Sequence, residues 1–175
     1  MPEDVSRIRA AVTGSPLRLR EEALLGALLK WPVLAAEFEQ ELDEVHFHTE
    51  ELDRCLVSLR EALIRDPGLD SGALARHLQA AGLDKLVARL CAPNAAKLDW
   101  TSREDAPDDM VREMFDATLR RYRVEVLQAE YEDAAEVARR EVTTEAYERM
   151  MALRRALDIA RADEPTAFRN ALGRA

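Results

Sequence analysis

Residues 107–162 read PDDMVREMFDATLRRYRVEVLQAEYEDAAEVARREVTTEAYERMMALRRALDIARA, and this stretch decides the fold. Pro107 with Asp108 and Asp109 behind it opens a helix, because proline gives up nothing at the first helical position and acids suit the positive end of the helix dipole. Apolar residues then recur at helical spacing as Val111, Phe115, Leu119, Tyr122 and Val126, thinning to Ala134, Ala135 and Ala138. Nothing interrupts helicity until Val142-Thr143-Thr144. The following segment, Thr144 to about Ala162, carries Ala146, Met150, Leu153, Leu157 and Ala160 at 4-3-4-3 spacing, a coiled-coil-like seam. A turn this short makes the two helices antiparallel neighbours, so a helical hairpin is expected, with Ala146, Met150, Leu153 and Leu157 as its inner seam. A helix of about 35 residues spans roughly 50 Å. A bundle of about 120 residues is only about 35 Å across, so the hairpin is expected to stand off the bundle.

The preceding sequence supplies that bundle. Thr13-Gly14-Ser15-Pro16 reads as a linker end, an N-cap serine and a first-turn proline, and the first helix carries Leu17, Leu24, Leu25 and Leu28 on one stripe. Pro32 ends it at Trp31 and starts a second helix with Leu34, Phe38 and Leu42 inward. Val45-His46-Phe47-His48 is a brief extended connector, and Thr49 is placed to cap a third helix. That helix has Glu50 and Glu51 in its first turn and a buried face of Leu52, Cys55, Leu56, Leu59 and Leu63. Asp66-Pro67-Gly68 is a stop signal. A short helix from Ser71 buries Leu74 and Leu78 and ends at Gly82, placed as a glycine after a helix C-terminus. Another from about Asp84 buries Leu86, Val87 and Leu90, and residues 93–106 form a loop containing Trp100. The organisation is a linker remnant at 1–15, a helical bundle at 16–127, a hairpin at 128–162, and a tail or short extra helix around Phe168 and Leu172 at 163–175.

Composition agrees with an all-α fold. Of 175 residues, 47% are hydrophobic and 34% charged but only 5% aromatic, with strong helix formers dominant. The net charge of −9 argues against a free-standing nucleic-acid binder, which needs a basic face. The basic residues are nearly all arginine, Lys30, Lys85 and Lys97 being the only lysines, and Arg/Glu pairs on solvated helix faces account for them. Cys55 and Cys91 lie inside apolar helical patterns and read as buried free thiols of a cytoplasmic protein. No apolar run approaches the roughly 20 residues of a membrane span.

There is no phosphate-binding glycine loop and no Cys-x-x-Cys pair. His46, His48, Cys55, His77 and Cys91 match no familiar zinc spacing. The acids Glu41, Asp43 and Glu44, and Glu104, Asp105, Asp108 and Asp109, fit helix first turns and solvated faces better than a Mg²⁺ site. The reading is therefore no catalytic, cofactor or metal residues.

The run Leu17-Arg18-Leu19-Arg20-Glu21-Glu22-Ala23-Leu24-Leu25-Gly26-Ala27-Leu28-Leu29, then Trp31-Pro32-Val33-Leu34-Ala35, resembles the opening helix pair of the C-terminal domain of bacterial DNA primases. Met114-Phe115-Asp116-Ala117-Thr118-Leu119 resembles the start of that family's long connecting helix, and the helix with Leu153, Ala156 and Leu157 stands where the family keeps its final helix. The match covers about residues 16–162 and lies in the order and spacing of elements. The tail after Asp163 runs beyond the family's expected end. The resemblance implies a docking module, monomeric alone, that binds the amino-terminal domains of the hexameric replicative helicase. The missing motifs imply no cofactor and no enzyme activity, the acidic net charge no strong nucleic-acid binding, and the lack of a long apolar run no membrane contact. The zinc-binding and primer-synthesising domains of such a primase have no counterpart in this chain. Two other readings stay open. Glu21-Glu22-Ala23-Leu24-Leu25-Gly26 is also similar to the opening of the replicative helicase's own amino-terminal domain, and the 146/150/153/157 seam would suit a structural helical homodimer.

The expected partner surface is the outer side of the last helix. Tyr147, Met151 and Ile159 point away from the seam, with Arg154, Arg155 and Arg161 as a rim. The alternative is that these outer residues meet a tail helix through Phe168 and Leu172.

Overall fold

Pro16 opens the first helix, α1 (Pro16–Lys30), and from Glu21 onward apolar side chains occupy every side of it. A helix apolar all round belongs at the centre of a bundle, and Ala23, Leu24, Leu25, Ala27, Leu28 and Leu29 are all buried. In the computed structural model of the chain, residues 16–92 and 106–163 are described. Among them the order is α1, α2 (Val33–Glu37), α3 (Glu39–Asp43), α4 (Glu50–Arg65), α5 (Ser71–Leu78), a π-type turn (Gln79–Leu83), α6 (Asp84–Cys91), α7 (Asp108–Glu141) and α8 (Thr144–Ala162). The fold is all-α, with no strand among the described residues. The Ser15 cap, the 93–105 loop with Trp100, and the tail with Phe168 and Leu172 lie outside the described residues. The chain divides into two compact units, Met1–Phe115 and Asp116–Ala175.

In the first unit α1 is surrounded by α2, α4, α5 and α6. α6 passes beside Gly26, where a Cβ would lie 3.9 Å from the Leu90 carbonyl oxygen, an ordinary contact. The helix expected from Pro32 through Leu42 is instead two short helices, α2 and α3. Phe38 separates them with φ −110° and ψ 27°, outside the helical range. Phe38 is half-buried rather than fully inward, and its ring meets Phe115 at 5.0 Å between centroids and 54° between planes. A tilted aromatic pair of this kind is favourable beyond the area it buries. Glu37 binds the Arg112 guanidinium at 2.7 Å alongside it, and that contact, before the attraction of Asp109 and Asp108, raises the pKa of Arg112.

The connector between α3 and α4 is fastened by buried and half-buried acids. Val45 and Phe47 are buried while His46 between them is exposed, as extended alternation requires. The Phe47 N–H donates to Asp53 at 2.8 Å, and the His48 N–H donates to the carboxylate of Glu21 on α1 at 2.7 Å. Glu21 is 0% exposed, and this bond joins α1 to the connector 27 residues on. Thr49 holds the N-cap position of α4, but its hydroxyl makes no capping bond. Its carbonyl instead accepts from Leu52 and Asp53, each at 2.9 Å.

Leu52, Cys55, Leu56, Leu59 and Ala62 form the buried face of α4, with Leu63 half-buried at its margin. Burial, then Glu51, then Cys91, pushes the Cys55 thiol up to about 12. Cys91, expected to be buried as well, is exposed at the last residue of α6. Asp70 caps α5 by accepting from the Ala73 N–H at 2.7 Å. Gly82, at φ 81°, takes the left-handed conformation that glycine adopts without a Cβ clash, and α6 starts two residues later.

The second unit contains α7 from Asp116 and all of α8. Acids stand in the first turn of α7 (Asp108, Asp109) and arginines in its last (Arg139, Arg140), the order that complements the helix dipole. Ala117, Thr118, Leu119, Tyr122 and Val124 are buried, whereas beyond Ala129 only Ala134 and Ala135 are. The connector is Val142-Thr143. Val142 has φ 49°, the one non-glycine residue in the left-handed region among those described, and the Thr143 hydroxyl caps α8 by accepting from the Ala146 N–H at 3.2 Å. Arg161 reaches back to Gln128 at 2.7 Å and Arg154 lies over the Tyr131 ring at 5.7 Å, so the two helices form an antiparallel hairpin.

Candidate partner-docking surface

Which side of α8 is free follows from which side is buried. Ala146 and Leu157 are its buried residues, and Met150, Leu153 and Ala160 beside them are half-buried. The four seam residues therefore do share one face, although only the two named first are fully covered. Round the opposite side run Tyr147, Met151, Arg155 and Ile159, each four residues from the next. Residues at that interval form a continuous ridge on a helix surface, the shape that fits the groove of a second helix.

Tyr147 is 58% and Ile159 65% exposed, Met151 is half-buried, and Arg155 is exposed. Two large apolar side chains more than half exposed on one helix are a surface that the described residues leave uncovered. Arg154 belongs elsewhere. It stacks on Tyr131 and pairs with Asp158 at 3.2 Å, and the Tyr131 hydroxyl first, then Asp158, raises its pKa. Arg161 is likewise turned back, to Gln128. Of the expected arginine rim, the structure sets Arg155 on the ridge and gives Arg154 and Arg161 structural duties inside the hairpin. Those duties depend on the antiparallel register of two helices, which residue spacing within one helix does not reveal.

The sequence marks Val142 as part of the interruption between α7 and α8, but not its left-handed backbone. This residue is 83% exposed at the end of the hairpin and adopts a conformation costly for a β-branched residue. The available signal was a two-residue connector without glycine.

No set of three or more histidine, cysteine, aspartate or glutamate side chains comes together as a metal site among the described residues. Asp108 and Asp109 stand in the first turn of α7, where Asp109 pairs with Arg112 at 3.2 Å. Among the described residues no helix is long and apolar enough to cross a membrane. Comparison with protein families, with curated proteins and with solved structures finds no match to this chain.

Proposed function

We propose that this chain is the helicase-docking domain of a bacterial DNA primase. In this reading it is a cytoplasmic module of the primosome that binds the amino-terminal domains of the hexameric replicative helicase and couples primer synthesis to unwinding during DNA replication. The observation that carries the reading is the outer ridge of α8. A ridge of exposed Tyr147 and Ile159 with half-buried Met151 and exposed Arg155 between them suits helix-in-groove recognition, where a few anchors supply most of the binding energy. The helix order supports it too, with a bundle around α1 followed by a long helix and a hairpin. The domain acts by binding and requires no cofactor of its own, and with a net charge of −9 it holds nucleic acid only weakly at physiological salt.

The test is titration of the purified chain against the hexameric replicative helicase of the same cell. The parent chain binds. Tyr147→Asp and Met151→Asp each weaken binding by about 2 kcal/mol, roughly thirtyfold, because a charge is placed unpaired in a desolvated contact. Circular dichroism and melting temperature stay near those of the parent. Normal binding by both variants would pass the docking role to the first unit, and no binding by the parent chain would end the helicase reading.

A further inference from the structure

A second apolar row runs along α8 beside the ridge, and it is short. Ala152, Ala156 and Ile159 follow at steps of four and three residues; Ala152 is exposed, Ala156 half-buried and Ile159 65% exposed. At about 3.6 residues per turn this row stands roughly a third of a turn round the helix from Tyr147 and Met151, with Arg155 between. Followed back towards the start of α8, the same line meets Glu148, Arg149 and Glu145, all exposed. Its apolar part is therefore only about 10 Å long. A long helix laid along it would bring apolar side chains against those charges, so the row suits a short occupant.

The sequence after α8 supplies one of the right length. It reads Glu164-Pro165-Thr166-Ala167-Phe168-Arg169-Asn170-Ala171-Leu172-Gly173-Arg174-Ala175. Proline disfavours a helical residue before it and suits the first turn of a new helix, and glycine suits the position after a helix end. The pattern marks one helix over 165–172, about 12 Å long, with Phe168, Ala171 and Leu172 on one face and Arg169 and Asn170 off it.

The point from which this segment departs is fixed. The Asp163 N–H donates to the Ile159 carbonyl at 3.2 Å, and the Asp163 carbonyl accepts from Arg120 at 3.4 Å. The chain therefore leaves α8 one turn past Ile159. Reversal over Asp163-Glu164-Pro165 would set Phe168 beside Ile159 and Leu172 over Ala156, where a small side chain leaves room for a large one. A tether this short holds the segment at an effective concentration on the order of millimolar, so even a weak contact is populated.

We propose that residues 165–172 form a short helix that docks antiparallel on the Ala152–Ala156–Ile159 row of α8 through Phe168 and Leu172. This helix closes the Ile159 end of the outer face to other partners. Tyr147 and Met151 stay open, so the ridge left for an outside partner is the half that contains them. The contact lies within one chain and does not rest on the helicase reading.

Hydrogen exchange of the full chain, with no helicase present, tests it. Read by mass spectrometry, the amides of 169–172 exchange about tenfold more slowly than in a synthetic peptide of residues 164–175. Ile159→Asp and Phe168→Ser each return them to the rate of the free peptide, while exchange within α8 stays at the parent level. Tyr147→Asp keeps the protection. Trypsin cleavage after Arg169 follows the same order, about tenfold slower in the parent than in Ile159→Asp. Exchange at the free-peptide rate in the parent overturns the proposal, and so does protection that survives both Ile159→Asp and Phe168→Ser. Loss of protection in Tyr147→Asp would move the contact to the ridge and overturn its placement on the row. Protection that appears only as protein concentration rises about a hundredfold would give the row to a second copy, which overturns the proposal too.

Discussion

α1 in the first unit and α8 in the second draw on much the same residues, leucine, alanine, arginine and glutamate, and differ in how they are used. In α1 the apolar residues crowd into Ala23–Leu29, and four other helices cover them on every side. In α8 they are spread along the helix, Ala146 and Leu157 are buried, and Tyr147 and Ile159 remain in water. Burying a leucine stabilises a fold by about 1.5–3 kcal/mol, so α1 anchors its unit while α8 contributes little to stability and keeps apolar surface for another contact. The comparison shows that composition does not assign a helix its role. The clustering of its apolar residues and the number of helices around it do.

The contrast breaks first, and by the largest amount, in the core. Leu28→Ala costs about 2–5 kcal/mol in urea unfolding because a cavity opens beneath a fully covered side chain. Tyr147→Asp stays within about 0.5 kcal/mol of the parent in the same measurement, as an exposed site should. Equal losses would mean that α8 is as much a core element as α1.

Glu21 gives the next largest effect. Glu21→Ala removes the acceptor of the His48 N–H and costs about 1–3 kcal/mol, read as earlier thermal unfolding. Amide exchange at His48 then speeds up more than exchange within α4, since the connector loses its tie to α1.

The Cys55 thiol adds a pH dependence to the first unit alone. Its pKa is raised from 9.0 to about 12 by burial, so the folded state holds a proton that the unfolded chain releases. The resulting stability is complete below pH 9.0 and is lost as pH climbs towards about 12. Cys55→Ala flattens that alkaline limb, and Cys55 in the parent resists iodoacetamide until the unit unfolds. An alkaline limb unchanged in the alanine variant would assign the loss to other groups.

The smallest effects sharpen the picture of the hairpin turn. Thr143→Ala costs about 1 kcal/mol for the lost cap, and Val142→Gly gains about as much by removing a left-handed β-branched residue. Both are read as changes in helicity and amide exchange confined to α8. A global shift in melting temperature would show the two units to be energetically inseparable.

The sequence alone determined which segments are helical and where most of them stop. Proline at Pro16 and Pro32, the Asp66-Pro67-Gly68 stop, Gly82 and the Val142-Thr143 connector act within a turn of where they stand, so their effects are local and readable from spacing. Core positions such as Leu28, Leu56 and Phe115 were legible for the same reason, because helical periodicity marks the buried side. Tertiary structure decided everything that depends on a residue far along the chain. The break at Phe38 is one case, where the ring meets Phe115; another is the buried Glu21, which holds the His48 N–H rather than facing water. The outer arginines of α8 follow the same rule. Helix spacing put Arg154, Arg155 and Arg161 together as a rim, but Tyr131 and Gln128 on the neighbouring helix take two of them and leave Arg155 on the ridge. Periodicity within one helix fixes which way a side chain points, and only the packing of helices against each other fixes what it meets.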